Sequence, residues 1–600
     1  MKQRVADFIA DFLVANGIHD VFTVTGGGAM HLNDAFGHHT ELHCIYNHHE
    51  QASAIAAEAY ARYSGRLAAV CVTSGPGGTN AITGVLGGWL DSIPMFIVSG
   101  QVKYSTTVKS TNLNLRQLGD QEFNIVDAVK PMTKFAEMVI NPDDIAYLLE
   151  KSFFLAKNGR PGPVWLDIPL NVQSAIIETA LLHHYNKGEN IREIAPKFES
   201  KRATEVFRRI NTAHRPVILA GAAIRTSGAY SDFVKLIEKI NVPVVTAWNA
   251  HDLLWDDHPL FCGRPGTVGN RGGNFVVQNS DLLLVLGCRL NIRQISYNWE
   301  NFAAEAFKIV VDIDPNELLK PTLTIDMPIW ADCKDFIEVL NSSEVNDADH
   351  QSWLSWCKRI NAKYPVVLNS YYSKNSPINP YVFMKELFDE LVEGDTIVAG
   401  NGSACVCSFQ AAIIKRNQRL FTNSGCAAMG YGLSAALGVA VARMGARVIC
   451  LDGDGSIQMN LQELQTIIHN DLNIKIFWLN NNGYHSIRQT QMNLFSSSFC
   501  GVSKDSGISF PSAQKIASAY DIPFIRIDDS HTMKNNLRLA LALDGPVIIE
   551  AVLDPEQFFE PKLSSKQMPD GSIVSPSLED MFPFLPFEEL ELIRKEAHDI

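Results

Sequence analysis

Short apolar runs rich in Val, Ile and Leu recur along the chain, each followed by a longer stretch of helical periodicity. Strands covered by helices on both faces read this way, as continuous apolar runs instead of alternating ones, so the pattern predicts parallel sheets. A first set, DVFTVTGGG, LHCIYN, LAAVCVTSG and PMFIVSG, closes with GPVWLDIP. After a polar passage, HHYNKGENIREIAPKFESKRA, a second set follows: RPVILAG, NVPVVTAW, SDLLLVLGCRL and FKIVVDIDP. DTIVAGNGS, RVICLDGDGS, IKIFWLNNN and GPVIIEAVLD form a third. The expected fold class is α/β, with three doubly wound parallel-sheet domains at 1–182, 204–345 and 375–557, linkers at 183–203 and 346–374, and a tail at 558–600 that is a candidate lid.

A chain of 600 residues exceeds what one core can hold, which agrees with several domains. The net charge of -14, without clustered Lys or Arg, argues against nucleic acid as a partner. The opening MKQRVADFIADFLVANGIHD has acidic breaks instead of a signal peptide's apolar centre, and no apolar run approaches the ~18 residues of a membrane span, so a cytoplasmic protein is expected. The 11 cysteines are scattered through apolar runs and read as reduced thiols. Cys405 and Cys407 lack a second Cys or His pair nearby, so zinc is not expected.

The chemistry concentrates in LDGDGSIQMNLQELQTIIHNDLNIKIFWLNNNGYHSI. A strand, helix, strand unit returns the chain to the same sheet edge, which brings Asp454 and Asn481 together at two strand ends. Hard oxygen donors of this kind, with the Gly483 carbonyl as a third, suit Mg²⁺, which binds through a few protein groups plus ligand phosphates. Gly453 and Gly455 permit close backbone approach, and a helix start near Ser456 or Asn460 favours a phosphate. Either half alone reads best as a plain turn; their joint occurrence selects the metal and phosphate.

GDGSIQMNLQELQT with LNNNGY resembles the thiamine diphosphate signature, Gly-Asp-Gly followed by an Asn pair. NHHEQASAIAAEAYAR, TSGPGGTNAITGVLGGWLDSIPMFIVSGQV, DQEFNIVDAVKPMTKF, RPGPVWLDIP and GCAAMGYGLSAALG are similar, in the same order, to acetolactate synthases. The resemblance implies pyrimidine-binding, central and diphosphate-binding domains, and a thiamine diphosphate- and Mg²⁺-dependent carboligase. Such an enzyme decarboxylates a 2-oxo acid, pyruvate first, and transfers the acyl group to a carbonyl acceptor. A simple decarboxylase, a C–C lyase and a non-catalytic homologue are the alternatives.

By the same resemblance Glu50 activates the cofactor. Gly26, Gly27 and Gln121 face the reacting carbonyl, and His49 is a proton carrier or a packing residue. Pro76, Asn80, Tyr484 and His485 lie in cofactor-binding stretches, and Met429 is the wedge that bends the cofactor. The Ala427 carbonyl holds the pyrimidine amino group, and Gly402, Ser403 and Ala404 cradle the diphosphate. A structural FAD is implied in the middle segment, with Arg160, Gly221, Arg289, Arg293, Asp312 and Asp314 as contacts, although the arginines equally read as ion-pair partners. Ala222 and Ala223 stand where the family often has Gly, and Thr490 and Asp120 where acetolactate synthases have Trp and Phe. The last two make a more polar acceptor pocket, and the tail resembles proteins of unusual sugar biosynthesis, so a nucleotide-bound keto sugar is an acceptor candidate. The family's active sites lie between subunits, which implies a homodimer or homotetramer.

Overall fold

The computed structural model describes every residue except 345–347, 496–497, 568–570 and 572. Three parallel sheets are present, one from each set of apolar runs. In the first, the strands lie side by side as His43–Tyr46, Asp20–Thr23, Ala69–Val72, Met95–Gln101, Pro163–Pro169 and Phe135–Met138. The third reads Arg419–Phe421, Thr396–Ala399, Val448–Gly453, Ile474–Asn480, Val547–Val552 and Phe524–Ile527. Taken in chain order within each set, the two sheets have the same strand order, so the first and third units are built on one plan. The middle sheet has five strands, Val244–Thr246, Pro216–Ala220, Leu282–Leu286, Phe307–Asp312 and Met327–Trp330.

The outer units are joined through small residues. Helix Glu50–Ser64 carries six alanines and is buried along nearly its whole length. It packs between Pro76–Asp91 and Tyr431–Arg443, where a side chain at Gly438 would come within 2.0 Å of the Ala56 carbonyl oxygen. That proximity lets polar groups meet inside the interface: the Tyr431 hydroxyl donates to Glu58 at 3.0 Å, and Arg62 bridges Glu58 and Asp91. A buried pair of this kind fixes one arrangement, because breaking it strands a charge away from water.

Several stretches depart from the sequence reading. The strand Lys2–Arg4 precedes the first helix and pairs antiparallel with Ile176–Glu178. The stretch 346–374 is no simple linker, since helix Gln351–Lys363 sets Trp353 and Trp356 into the middle core and Trp353 Nε1 donates to the Pro216 carbonyl at 3.1 Å. The boundary set at 345–346 lies outside the described residues. The tail does not form a lid over its whole length. Helix Phe587–His598 buries Leu590, Ile593 and Ala597 in the middle core, and Arg271 holds its approach through the Pro583 carbonyl at 2.6 Å. Apolar spacing alone could not tell which unit these helices would join.

Asp167, at the end of a central strand of the first sheet, is fully buried and accepts from Ser99 Oγ at 2.6 Å and Gln101 Nε2 at 3.1 Å. Burial pushes its carboxyl up to about 7. A carboxyl raised in the folded state binds a proton there that the unfolded chain has lost, so its contribution to stability declines as pH rises from about 4 to about 7. Asp167→Asn is expected to remove up to about 4 kcal/mol of that decline. The measurement is the difference in unfolding midpoint between pH 5 and pH 8, and a variant keeping the wild-type difference would exclude this origin.

Candidate functional site

Strands Val448–Gly453 and Ile474–Asn480 are parallel neighbours in register, with Gly453 opposite Leu479. Their carboxyl ends therefore turn outward side by side, and the residues just beyond them are Asp454 and Asn481. Asp454 Oδ2 accepts from the Gly483 amide at 3.1 Å. Asn481 Nδ2 donates to Ser403 Oγ at 3.1 Å, while Asn481 Oδ1 is buried and accepts nothing. An acceptor left this way costs about 1–3 kcal/mol, a cost that a ligand at this point would remove.

Burial drives the Asp454 carboxyl up to about 7, against backbone amides of Gly483, Gly455 and Asn482 that pull it down. A cation would stabilise the ionised form. Among the described residues no three His, Cys, Asp or Glu side chains gather to hold a metal, so a cation at Asp454 would draw the rest of its shell from carboxamide, backbone or ligand oxygens. The turn geometry admits little else: Gly483 has φ +147°, and a side chain there would meet the Val502 carbonyl oxygen at 2.0 Å.

Both residues line a cavity of about 290 Å³. Helix Ser403–Ala411 points its first turn into it after Gly402, whose φ is +81°. Free amides of a helix start, with the positive end of its dipole, suit a diphosphate. Ala404 is fully buried, and Cys405 lines the wall in its place. Gly453, Gly455, Ser456, Tyr484 and His485 also line it. The helix expected at Ser456 or Asn460 is delayed: a 3-10 turn, Ile457–Asn460, comes first and the α-helix begins at Glu463. Asn460 is drawn aside by the Gly430 carbonyl at 3.0 Å and Gln51 at 2.9 Å. Across the cavity stand Ala427, with φ +56°, and Met429, which is 39% exposed. His485 is held near 4 by burial, with Nε2 2.8 Å from the Gln557 carbonyl oxygen. Gln489 is buried against His485 and Thr490 is exposed, and neither lines the cavity.

The remaining expected residues assemble elsewhere. Glu50 begins helix Glu50–Ser64, is 9% exposed and accepts from Asn80 Nδ2 at 2.9 Å. Asn80 belongs to the helix that starts at Pro76, and a side chain on Gly77 would approach both Glu50 and Thr73. Gly26 abuts Thr73, Gly28 donates to Thr73 Oγ1 at 3.0 Å, and the Gln121 carbonyl crowds Gly75. His49 Nδ1 is buried with no partner. These groups form a second cluster at the strand ends of the first sheet, and no first-domain residue lines the third-domain cavity.

A second cavity, about 260 Å³, lies between the middle and first units, and its wall includes Arg160, Arg289 and Asp312. Arg160 is paired with Asp314 at 3.1 Å and Glu317 at 2.7 Å, as the ion-pair reading expects. Gly221 follows strand Pro216–Ala220 and abuts the Gly287 carbonyl. Arg293 corrects the sequence reading: it lines the third-domain cavity instead, with its guanidinium 5.2 Å from the Trp248 ring centre. Sequence spacing places it only on a turn after a middle strand, with no signal for the direction of its side chain. Ser424 and Asn401 also line that cavity; Asn401 adjoins Gly402 in the diphosphate stretch, whereas no sequence pattern marks Ser424.

Comparison with known proteins matches three family descriptions in order. They are the N-terminal TPP binding domain of thiamine pyrophosphate enzymes at residues 3–127, their central domain at 203–340, and their C-terminal TPP binding domain at 400–551. The chain is 30% identical to acetolactate synthase 1, chloroplastic, of Zea mays, covering 94% of this chain and 87% of that protein. It is 31% identical to the probable acetolactate synthase large subunit of Methanococcus aeolicus, covering 92% of each. With the acetolactate synthase isozyme 1 large subunit of Escherichia coli K12, identity is 30% over 92% of this chain and 94% of the other. Three domain matches in the family's order, and relatives at this identity along nearly the full length, establish that the chain belongs to the thiamine pyrophosphate enzymes, as an acetolactate synthase-like member.

Proposed function

We propose that the chain is a carboligase that decarboxylates pyruvate or a related 2-oxo acid and joins the acyl group to a carbonyl acceptor. The supporting observation is the unpartnered Asn481 oxygen beside the Asp454 carboxyl, at a helix start suited to a diphosphate. Asp454, Asn481 and the Gly483 carbonyl would hold Mg²⁺, and Gly402 and Ser403 the diphosphate. Thiamine diphosphate, when bound, supplies the carbanion equivalent that attacks the 2-oxo acid and accepts the electrons released with CO2. Glu50 holds a proton at a pyrimidine ring nitrogen, with Asn80 fixing the direction of its carboxylate. Met429 would pack against the cofactor's rings, and the Ala427 carbonyl would accept from its amino group, both residues lying in the cavity wall. Arg293, without a carboxylate partner among the described residues, offers a positive charge to an anionic substrate group.

Glu50 and Asp454 belong to separate clusters of one chain, so a complete site takes the first domain of one copy and the third of another. The reading is therefore a homodimer, or a dimer of dimers. Middle-cavity features suit a dinucleotide such as FAD: Trp248 Nε1 is a buried donor without a partner in the wall, and Asp312 is a buried carboxyl at a strand end. The acceptor we propose is a polar carbonyl compound such as a nucleotide-bound keto sugar, because Thr490 and Asp120 are exposed polar residues where acetolactate synthases carry Trp and Phe.

Glu50→Gln is expected to lower kcat by about 10²–10³ while thiamine diphosphate still binds, since it removes one proton carrier. Asp454→Ala is expected to abolish Mg²⁺-dependent binding of the cofactor. Mixing the two inactive variants under conditions of subunit exchange should restore roughly a quarter of wild-type activity, because a hybrid dimer keeps one intact site. No recovery in verified hybrids would place each site within one chain. With pyruvate alone, acetolactate or acetoin is the expected product, and acetaldehyde as the sole product would select the simple decarboxylase. Added 2-oxobutyrate and nucleotide-linked keto sugars, compared by mass spectrometry, identify the acceptor.

A further inference from the structure

The Ala427 residue raises a question of support. A non-glycine residue at φ +56° costs about 1–2 kcal/mol and persists only where its surroundings enforce it. The turn from Asn423 to Ala428 is short, and the Ala427 amide donates back to the Asn423 carbonyl at 2.8 Å. Within the third domain, Asn401 Nδ2 ties both ends, to Asn423 Oδ1 at 3.0 Å and to the Ala428 carbonyl at 2.8 Å. The middle of the turn is held from outside that domain. Asn249, on a 3-10 turn of the middle domain, accepts from Ser424 Oγ through its Oδ1. Its Nδ2 donates to Asp91 Oδ1 at 3.1 Å, and the same carboxylate oxygen accepts from the Gly425 amide at 3.1 Å. Asp91 is the last residue of helix Pro76–Asp91; its side chain is almost fully buried and is anchored by Arg62 at 2.8 Å.

One amide side chain thus joins all three domains at the turn that carries Ala427 and leads into Met429. Asn249 and Asp91 are walls of the middle cavity, whereas Ser424, Ala427 and Met429 are walls of the cavity of Asp454. Both ends of the Asn249 amide are used, the oxygen toward the third domain and the nitrogen toward the first. A carboxylate in its place would face Asp91, and an aliphatic residue would leave Ser424 and Asp91 each short of a partner. Neither alternative preserves the bridge.

We propose that Asn249 is a positioning residue of the cofactor site, a latch that holds the Asn423–Ala428 turn in the strained form required for the Ala427 carbonyl and Met429 to meet thiamine diphosphate. It touches neither cofactor nor substrate. The inference rests on the reading of the third-domain cavity as the thiamine diphosphate site.

The test is calorimetric titration of the full-length protein with thiamine diphosphate and Mg²⁺, for wild type, Asn249→Ala, Ser424→Ala and the double variant, alongside unfolding midpoints. Asn249→Ala is expected to raise the dissociation constant about tenfold, the equivalent of about 1.4 kcal/mol. Ser424→Ala should do the same from the other side of the bond, and the double variant should bind no worse than the weaker single one, because both break one link. At saturating cofactor, kcat should fall while KM for pyruvate stays near its wild-type value, because the latch acts through the cofactor and not on uniform substrate binding. Unchanged cofactor affinity in both single variants, with or without a lower unfolding midpoint, overturns the latch and leaves the bond merely structural. Losses that multiply in the double variant also overturn it. If Asn249→Ala does not fold, Ser424→Ala decides alone by the same criterion. A wild-type protein that takes up no thiamine diphosphate overturns the cofactor reading, and the latch with it.

Discussion

Two neighbouring parallel strands, Val448–Gly453 and Ile474–Asn480, fix the geometry on which the functional reading turns. Their register places a carboxyl and a carboxamide at adjacent ends, and among the described residues no three His, Cys, Asp or Glu side chains gather there to complete a metal shell. Ligand oxygens must then finish the coordination, so metal and cofactor are expected to bind as one unit. Burial that raises the Asp454 carboxyl works against ionisation until such a cation arrives.

The remainder of the architecture presents that turn to a second set of groups. Identical strand order in the first and third units gives two matching sheet ends, one carrying Glu50 with Asn80 and the other Asp454 with Asn481. Helix Glu50–Ser64 lies between them as a structural member, with its alanines permitting contact distances that larger side chains would forbid. Its first residue is the expected activating carboxyl and its later residues form the buried joint with Tyr431. Packing and chemistry are therefore carried by different turns of one helix.

Much of this was legible in the chain itself. Continuous apolar runs announced three parallel sheets, and the pair of motifs around Asp454 and Asn481 marked one strand end each. The same runs could not show that helices Gln351–Lys363 and Phe587–His598 belong to the middle core, because amphipathic periodicity states that a face is buried without saying against what. Arg293 was legible as a charged residue after a middle strand but not as a wall of the third-domain cavity, since the direction of a long side chain depends on neighbours from another domain. Asn249 left no trace at all. Its importance arises from partners 158 and 175 positions away, which no local pattern encodes.

The helix Phe587–His598 has a consequence for how the middle unit is closed. Its apolar face enters a hydrophobic interior that is otherwise built mostly from residues preceding the third domain, with Leu578 of the tail beside it. The middle core is therefore completed across the intervening third domain, by contacts of high sequence separation. The cohesion of the second unit is tied in this way to residues on the far side of the third.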